Sequence, residues 1–180
     1  MKRLQRDAVI LSLIENLRAK GSWCGETHIQ KATYFIQELL GVPLEFEFVL
    51  YKHGPYSFDL SDELTAMRAD AILKLHTQPP PYGPSFINGR SSKLIKELYP
   101  RTLKKYEPMV KFISDKLGGK NVAELERLAT ALYVTREINT DNRIESRVQC
   151  IHKLKPHVSL DEAREAVRLV DTLIKESINV

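Results

Sequence analysis

Cysteine is scarce in this chain of 180 residues: Cys24 and Cys150 are too few for a disulfide framework, and no Cys/His spacing matches a zinc site. Such a pair points to a reducing compartment, and a cytoplasmic protein is expected. Long apolar runs are missing too. No uninterrupted stretch approaches the ~18 residues that a membrane span needs. The first twenty residues begin with positive charge, but Asp7, Glu15 and Asn16 interrupt them and no small-residue cleavage site follows, so no secretory leader is expected. The patterns GxGxxG, GxxxxGK[ST], HExxH and GxSxG do not occur, which removes the usual signatures of dinucleotide, phosphate, metalloprotease and serine-hydrolase chemistry. His28, His53, His76, His152 and His157 are scattered, and the two nearest in sequence, His152 and His157, straddle Pro156. Asp59, Asp62 and Glu63 fall in the first turn of an expected helix, where the dipole favours acids, so capping explains them better than acid/base work. No catalytic residue, metal site or cofactor is therefore expected.

What remains is an ordinary globular composition, 43% apolar and 28% charged. A chain of this length buries roughly 70% of its unfolded surface, and no long linker divides it. One domain spanning 1–180 is expected. The formal charge of +4 is unevenly spread. Residues 1 to 90 carry ten basic and ten acidic groups, and residues 121 to 180 carry nine and ten. Residues 91 to 120 carry eight and three, so the excess sits there, in Lys93, Lys96, Arg101, Lys104, Lys105, Lys111, Lys116 and Lys120. Two readings stand side by side: a basic face for phosphates or an acidic partner, and a plain solvated helix surface.

The apolar periodicity is mostly helical. Val9, Ile10, Leu13, Ile14 and Leu17 recur at helical spacing over residues 5 to 20, up to Gly21. Thr27 with Gln30 reads as a capping box opening a second helix that ends near Gly41. From Leu44 to Leu50 the period changes to two, as in a half-buried strand. This strand leads into Lys52-His53-Gly54-Pro55-Tyr56-Ser57, with Ser57 as the cap of a helix whose inward stripe is Leu60, Leu64 and Met67. Residues 72–77 and 85–90 flank a Pro/Gly-rich loop and predict a wing-like hairpin. Helix is expected over 92–117, broken near Pro100 and Pro108. A helix capped by Asn121 and Glu124, one over 141–153, and one capped by Ser159 and Glu162 complete the chain. The expected fold is mainly α (α+β). Residues 1–90 form a winged-helix-like part with a small β hairpin, packed on a helical bundle formed by 91–180.

The least ordinary segment is Tyr51 to Phe58, which concentrates aromatic, cationic and imidazole groups around a Gly-Pro turn. It reads as a structural corner and as a display of polar groups, and the two readings are compatible. The run His28-Ile-Gln-Lys31-Ala-Thr-Tyr34-Phe35, then Gly41-Val-Pro43-Leu44, then Tyr51-Lys-His-Gly-Pro-Tyr-Ser57 before Leu60-Ser-Asp-Glu-Leu64 resembles the Panacea domain of the SocA-like antitoxin group. It is more similar still to the YwgA-like proteins related to that group. Those families show a KLQK-x-x-Y helix and a Y-K/R-Y/H-G-P turn. This chain has His28 and Ile29 where Lys-Leu is usual, with Gln30, Lys31 and Tyr34 in register. Leu125 to Tyr133 and Leu154 to Ser159 resemble the C-terminal half of the YwgA-like pattern, so the similarity spans roughly residues 5 to 175.

The resemblance implies a non-enzymatic protein-interaction module, antitoxin-like or associated with phage or defence functions, with a protein partner that would be a toxin. It implies that Lys31, Tyr34, Tyr51, His53, Gly54 and Tyr56 cluster where the second helix meets the turn. The alternative is a winged-helix nucleic-acid-binding regulator that uses the second helix and the basic stretch. Lys31 against Glu38 is a poor charge set for reading a major groove. A hydrolase or nuclease would need carboxylates or histidines converging in a pocket.

Overall fold

A computed structural model of the chain describes residues 1–77, 83–138 and 143–180. The described elements are α1 (Arg3–Ala19), α2 (Glu26–Glu38), β1 (Val49–Tyr51), β2 (Gly54–Tyr56), α3 (Phe58–Ala69), β3 (Leu73–His76), β4 (Ser85–Asn88), α4 (Ser92–Leu98), α5 (Pro100–Leu117), α6 (Val122–Arg136), α7 (Ile144–Leu154) and α8 (Leu160–Ser177). The protein is mainly α with two small antiparallel hairpins, β1–β2 and β3–β4.

Helix α1 is buried on nearly every side, through Ala8, Val9, Ile10, Leu11, Leu13, Ile14 and Leu17, and it runs along α5. A helix apolar all round belongs inside a core. Helix α2 is still more enclosed: every residue from His28 to Ile36 is buried. Burial of Ile29, Phe35 and Ile36 alone contributes roughly 1.5–3 kcal/mol each. On its other side α2 meets α6, which packs with α7 and α8 to form the C-terminal part. The hydrophobic cluster takes in residues from α1 through α8.

Several caps follow the sequence pattern. Ser57 Oγ accepts from the Leu60 amide at the start of α3, and Leu60, Leu64 and Met67 are buried as one stripe. Asn121 with Glu124 and Ser159 with Glu162 form reciprocal capping boxes on α6 and α8. The β3–β4 hairpin pairs Leu73 with Asn88 and His76 with Ser85. Residues 78–82 of its expected tip, and residues 141–142 of the helix expected over 141–153, lie outside the described residues.

Three expectations are corrected. The Thr27–Gln30 capping box does not form: the cap of α2 is Gly25, without a side-chain bond, and Gln30 is buried. Its amide instead bonds both backbone groups of Ser57, Nε2 donating to the carbonyl at 2.8 Å and Oε1 accepting from the amide at 2.9 Å. The alternation from Leu44 to Leu50 is real as burial, yet only Val49–Tyr51 is a strand. Glu45 has φ +63°, which breaks the extended conformation, and Gln37 takes both backbone groups of Phe46 at 3.0 and 2.8 Å in place of a neighbouring strand. Gln30 and Gln37, two turns apart on α2, thus hold two passing segments in the same way. Finally, the expected break at Pro100 is present, but α5 continues through Pro108. Pro108 and Lys104 are exposed, so the carbonyl left without its helical donor is open to water.

Candidate functional site

The corner formed by β1, β2 and the start of α3 is built from beneath. In the two-residue turn Lys52-His53, the register Tyr51↔Gly54 and Val49↔Tyr56 aims the odd-numbered side chains of β1 outward. Gly54 has φ +85°, and a Cβ there would lie 3.1 Å from Thr130 Oγ1 and 3.4 Å from the Glu126 carbonyl oxygen. Only glycine meets both demands. Next in the chain, the Pro55 carbonyl accepts from Lys31 Nζ at 2.8 Å, and Ser57 is held by Gln30.

Lys31 is 1% exposed, and burial lowers its pKa to about 8 despite the pull of Glu126. Tyr34 is equally buried, packed on Phe48 at 5.0 Å between ring centroids, and burial pushes its phenol far up. Both act from inside. The outward groups among the six expected residues are Tyr51 and His53, with Tyr56 half-buried and Gly54 buried.

Three rings gather on the outer face. Tyr51, Tyr56 and Phe58 have centroids 5.1 to 5.8 Å apart at tilted or edge-on angles, and Tyr51 and Phe58 are 57% and 58% exposed. Edge-to-face contacts of this kind order the cluster. Phe58 closes the segment from Tyr51 but is not among the six expected residues; it lies off the Leu60/Leu64/Met67 stripe, which is the signal that it faces out.

Behind the turn lies an open cleft of about 660 Å³. Its floor is Glu126 of α6, whose carboxylate meets His53 Nδ1 at 3.3 Å, His157 Nε2 at 3.3 Å and Lys155 Nζ at 3.4 Å. Burial favours the neutral acid, yet the His53 bond and the charges of Lys155 and His157 outweigh it and hold Glu126 below the usual carboxylate range. Lys155 is buried and also donates to the carbonyls of Tyr51, at 2.9 Å, and Lys52. The convergence of His53 and His157 on one carboxylate is opposite to what their spacing suggested. The buried ammonium of Lys155 beside that carboxylate makes the group a charge clamp rather than a cation cage.

The basic stretch divides. Lys93 pairs with Glu97 and Lys96 with Glu15, whereas Arg101, Lys104, Lys105 and Lys111 are exposed along one face of α5 with no ion pair among the described residues.

A second cavity, of about 730 Å³, lies between the α1–α2 loop and the start of α6. In its wall His28 Nε2 bonds the Leu117 carbonyl at 3.1 Å, which requires the proton on Nε2, so Nδ1 accepts from Ser22 Oγ at 2.8 Å. Burial lowers the His28 pKa and keeps the ring neutral. Ser22 Oγ in turn accepts from the Cys24 amide at 2.9 Å, so the trio ties the α1–α2 loop to the end of α5.

Among the described residues no helix is long and apolar enough to cross a membrane. Compared with protein-family models and with curated proteins, the chain matches none.

Proposed function

We propose that this is a protein-interaction module whose contact surface is the corner of β1, β2 and the first turn of α3. The observation that carries the reading is the group of Tyr51, Tyr56 and Phe58, two of them more than half exposed, on backbone held by buried side chains. Aromatic side chains dominate interface energetics, and a partner meeting a pre-ordered surface loses less conformational freedom on binding. The segment from Gly54 to Ser57 is fixed by Lys31 and Gln30, so the cost of ordering is met on folding.

The resemblance to the Panacea and YwgA-like proteins extends this to an antitoxin-like, phage- or defence-associated role in the cytoplasm, with a winged-helix-like N-terminal part and a toxin as partner. The test is a pull-down with the products of neighbouring genes, joined to growth rescue when a candidate toxin is expressed. Capture and rescue that disappear together in Tyr51→Ala with Phe58→Ala support the reading; absence of any partner and any rescue overturns it.

One observation favours a second reading, nucleic-acid binding: the face of Arg101, Lys104, Lys105 and Lys111 on α5. Against it, α2 is buried from His28 to Ile36 and offers no face to a groove. A phosphate-binding mode predicts affinity that falls steeply with salt. A flat anisotropy titration with duplex DNA at low salt would remove it.

A further inference from the structure

We propose that the aromatic corner accepts a cationic side chain, arginine or lysine, from a basic segment of the partner polypeptide. This rests on the interaction reading above and adds the chemistry of the partner.

The faces of aromatic rings carry negative charge density and attract cations, by about 0.5–1 kcal/mol at exposed sites. Three carboxylates stand at the same place. Glu26 Oε1 accepts from the Tyr56 hydroxyl and from Ser61 Oγ, each at 2.8 Å, which leaves its other oxygen to an incoming donor. Asp59 follows Phe58 directly, and Asp62 lies one turn further along α3; both are exposed and have no ion-pair partner among the described residues. The field of Glu26 and Asp62 reaches Tyr56: its phenol is pushed up by burial first, then, against the lowering bond with Ser61, by its bond to Glu26 and the charges of Glu26 and Asp62. Lys52 and His53 lie at the turn end of the hairpin, beside Tyr51, whereas the acids border the Tyr56 and Phe58 end. An acidic rim on an aromatic centre repels phosphates and other anions and favours arginine, whose planar group stacks on a ring while donating to carboxylates.

Selection of a displayed random-peptide library on the full chain, counter-selected on Tyr51→Ala with Phe58→Ala, tests the proposal. Enrichment of peptides in which Arg or Lys is flanked by apolar residues is expected. Synthetic versions should lose about two- to tenfold in affinity against Asp59→Asn with Asp62→Asn, in which the rings are intact and two exposed ion pairs are removed. Thermal unfolding of both variants guards against loss of fold. Enrichment of acidic or uncharged peptides, or affinity indifferent to the Asp59 and Asp62 changes, overturns the cation proposal and leaves the interaction reading in place. No enrichment over the counter-target overturns both.

Discussion

The ammonium of Lys155 donates to the carbonyl oxygen of Tyr51 at 2.9 Å, across 104 residues of sequence. A side chain at the end of α7 thereby sets the backbone on which the exposed Tyr51 is mounted. The aromatic corner belongs to the N-terminal part in sequence and depends on the C-terminal helices for its shape.

Because Tyr51 and Phe58 project into solvent, their removal should separate recognition from stability. In Tyr51→Ala and Phe58→Ala the thermal midpoint should stay within about 2–4 °C of the parent, as for surface changes generally. Affinity for a captured partner should fall by at least about tenfold in each, as read by titration calorimetry.

Gly54→Ala should do the reverse. A φ of +85° strains any side chain, and the added methyl meets Thr130 Oγ1. A loss of about 1–3 kcal/mol is expected in urea unfolding. A neutral outcome would mean that the turn can adopt another conformation.

Glu126→Gln removes the charge that faces Lys155, His53 and His157. It leaves the buried Lys155 and Lys31 without their carboxylate, at an expected cost of about 2–4 kcal/mol. Amide exchange should rise first in β1–β2, because the turn is clamped through this group. Uniform acceleration through α1 and α5 would contradict that assignment.

Asp7 predicts an unusual pH dependence. It is fully buried, neither carboxylate oxygen accepts a hydrogen bond, and the nearest cation is Arg3 Nη2 at 3.9 Å; Glu63, clasped by Arg3 and Arg6, lies close enough to repel it. Burial, then the Glu63 charge, raises its pKa from 3.8 to about 7. The native state therefore holds a proton that the unfolded chain releases. This contribution to stability is full below about pH 4 and is lost as pH rises through about 7. Asp7→Asn should match the parent near pH 4 and exceed it at pH 8, by on the order of 1–3 kcal/mol in denaturant unfolding. Parallel pH profiles for the two proteins would refute it.

Local signals carried the helices well. The Ser57, Asn121 and Ser159 caps and the inward stripes of α3, α6 and α8 rest on contacts within a few residues, and these are what periodicity and capping patterns record. Gln30 departs from its local pattern for the opposite reason. Its spacing from Thr27 fits a cap, but its amide is taken by Ser57, 27 residues away, a partner no local pattern can reveal.

By itself the sequence determined a mainly helical chain, the capped starts of α3, α6 and α8, the Gly-Pro corner and the neutrality of the first 90 residues, because each follows from neighbouring residue types. Tertiary structure alone decided which members of the corner face solvent. It buried Lys31 and Tyr34, left Tyr51 and His53 exposed, and brought Glu126, Lys155 and His157 behind the turn from more than 70 residues away. The physical reason is that burial of a cation or a carboxylate becomes tolerable only when distant partners arrive together, and that pairing exists in the folded state alone.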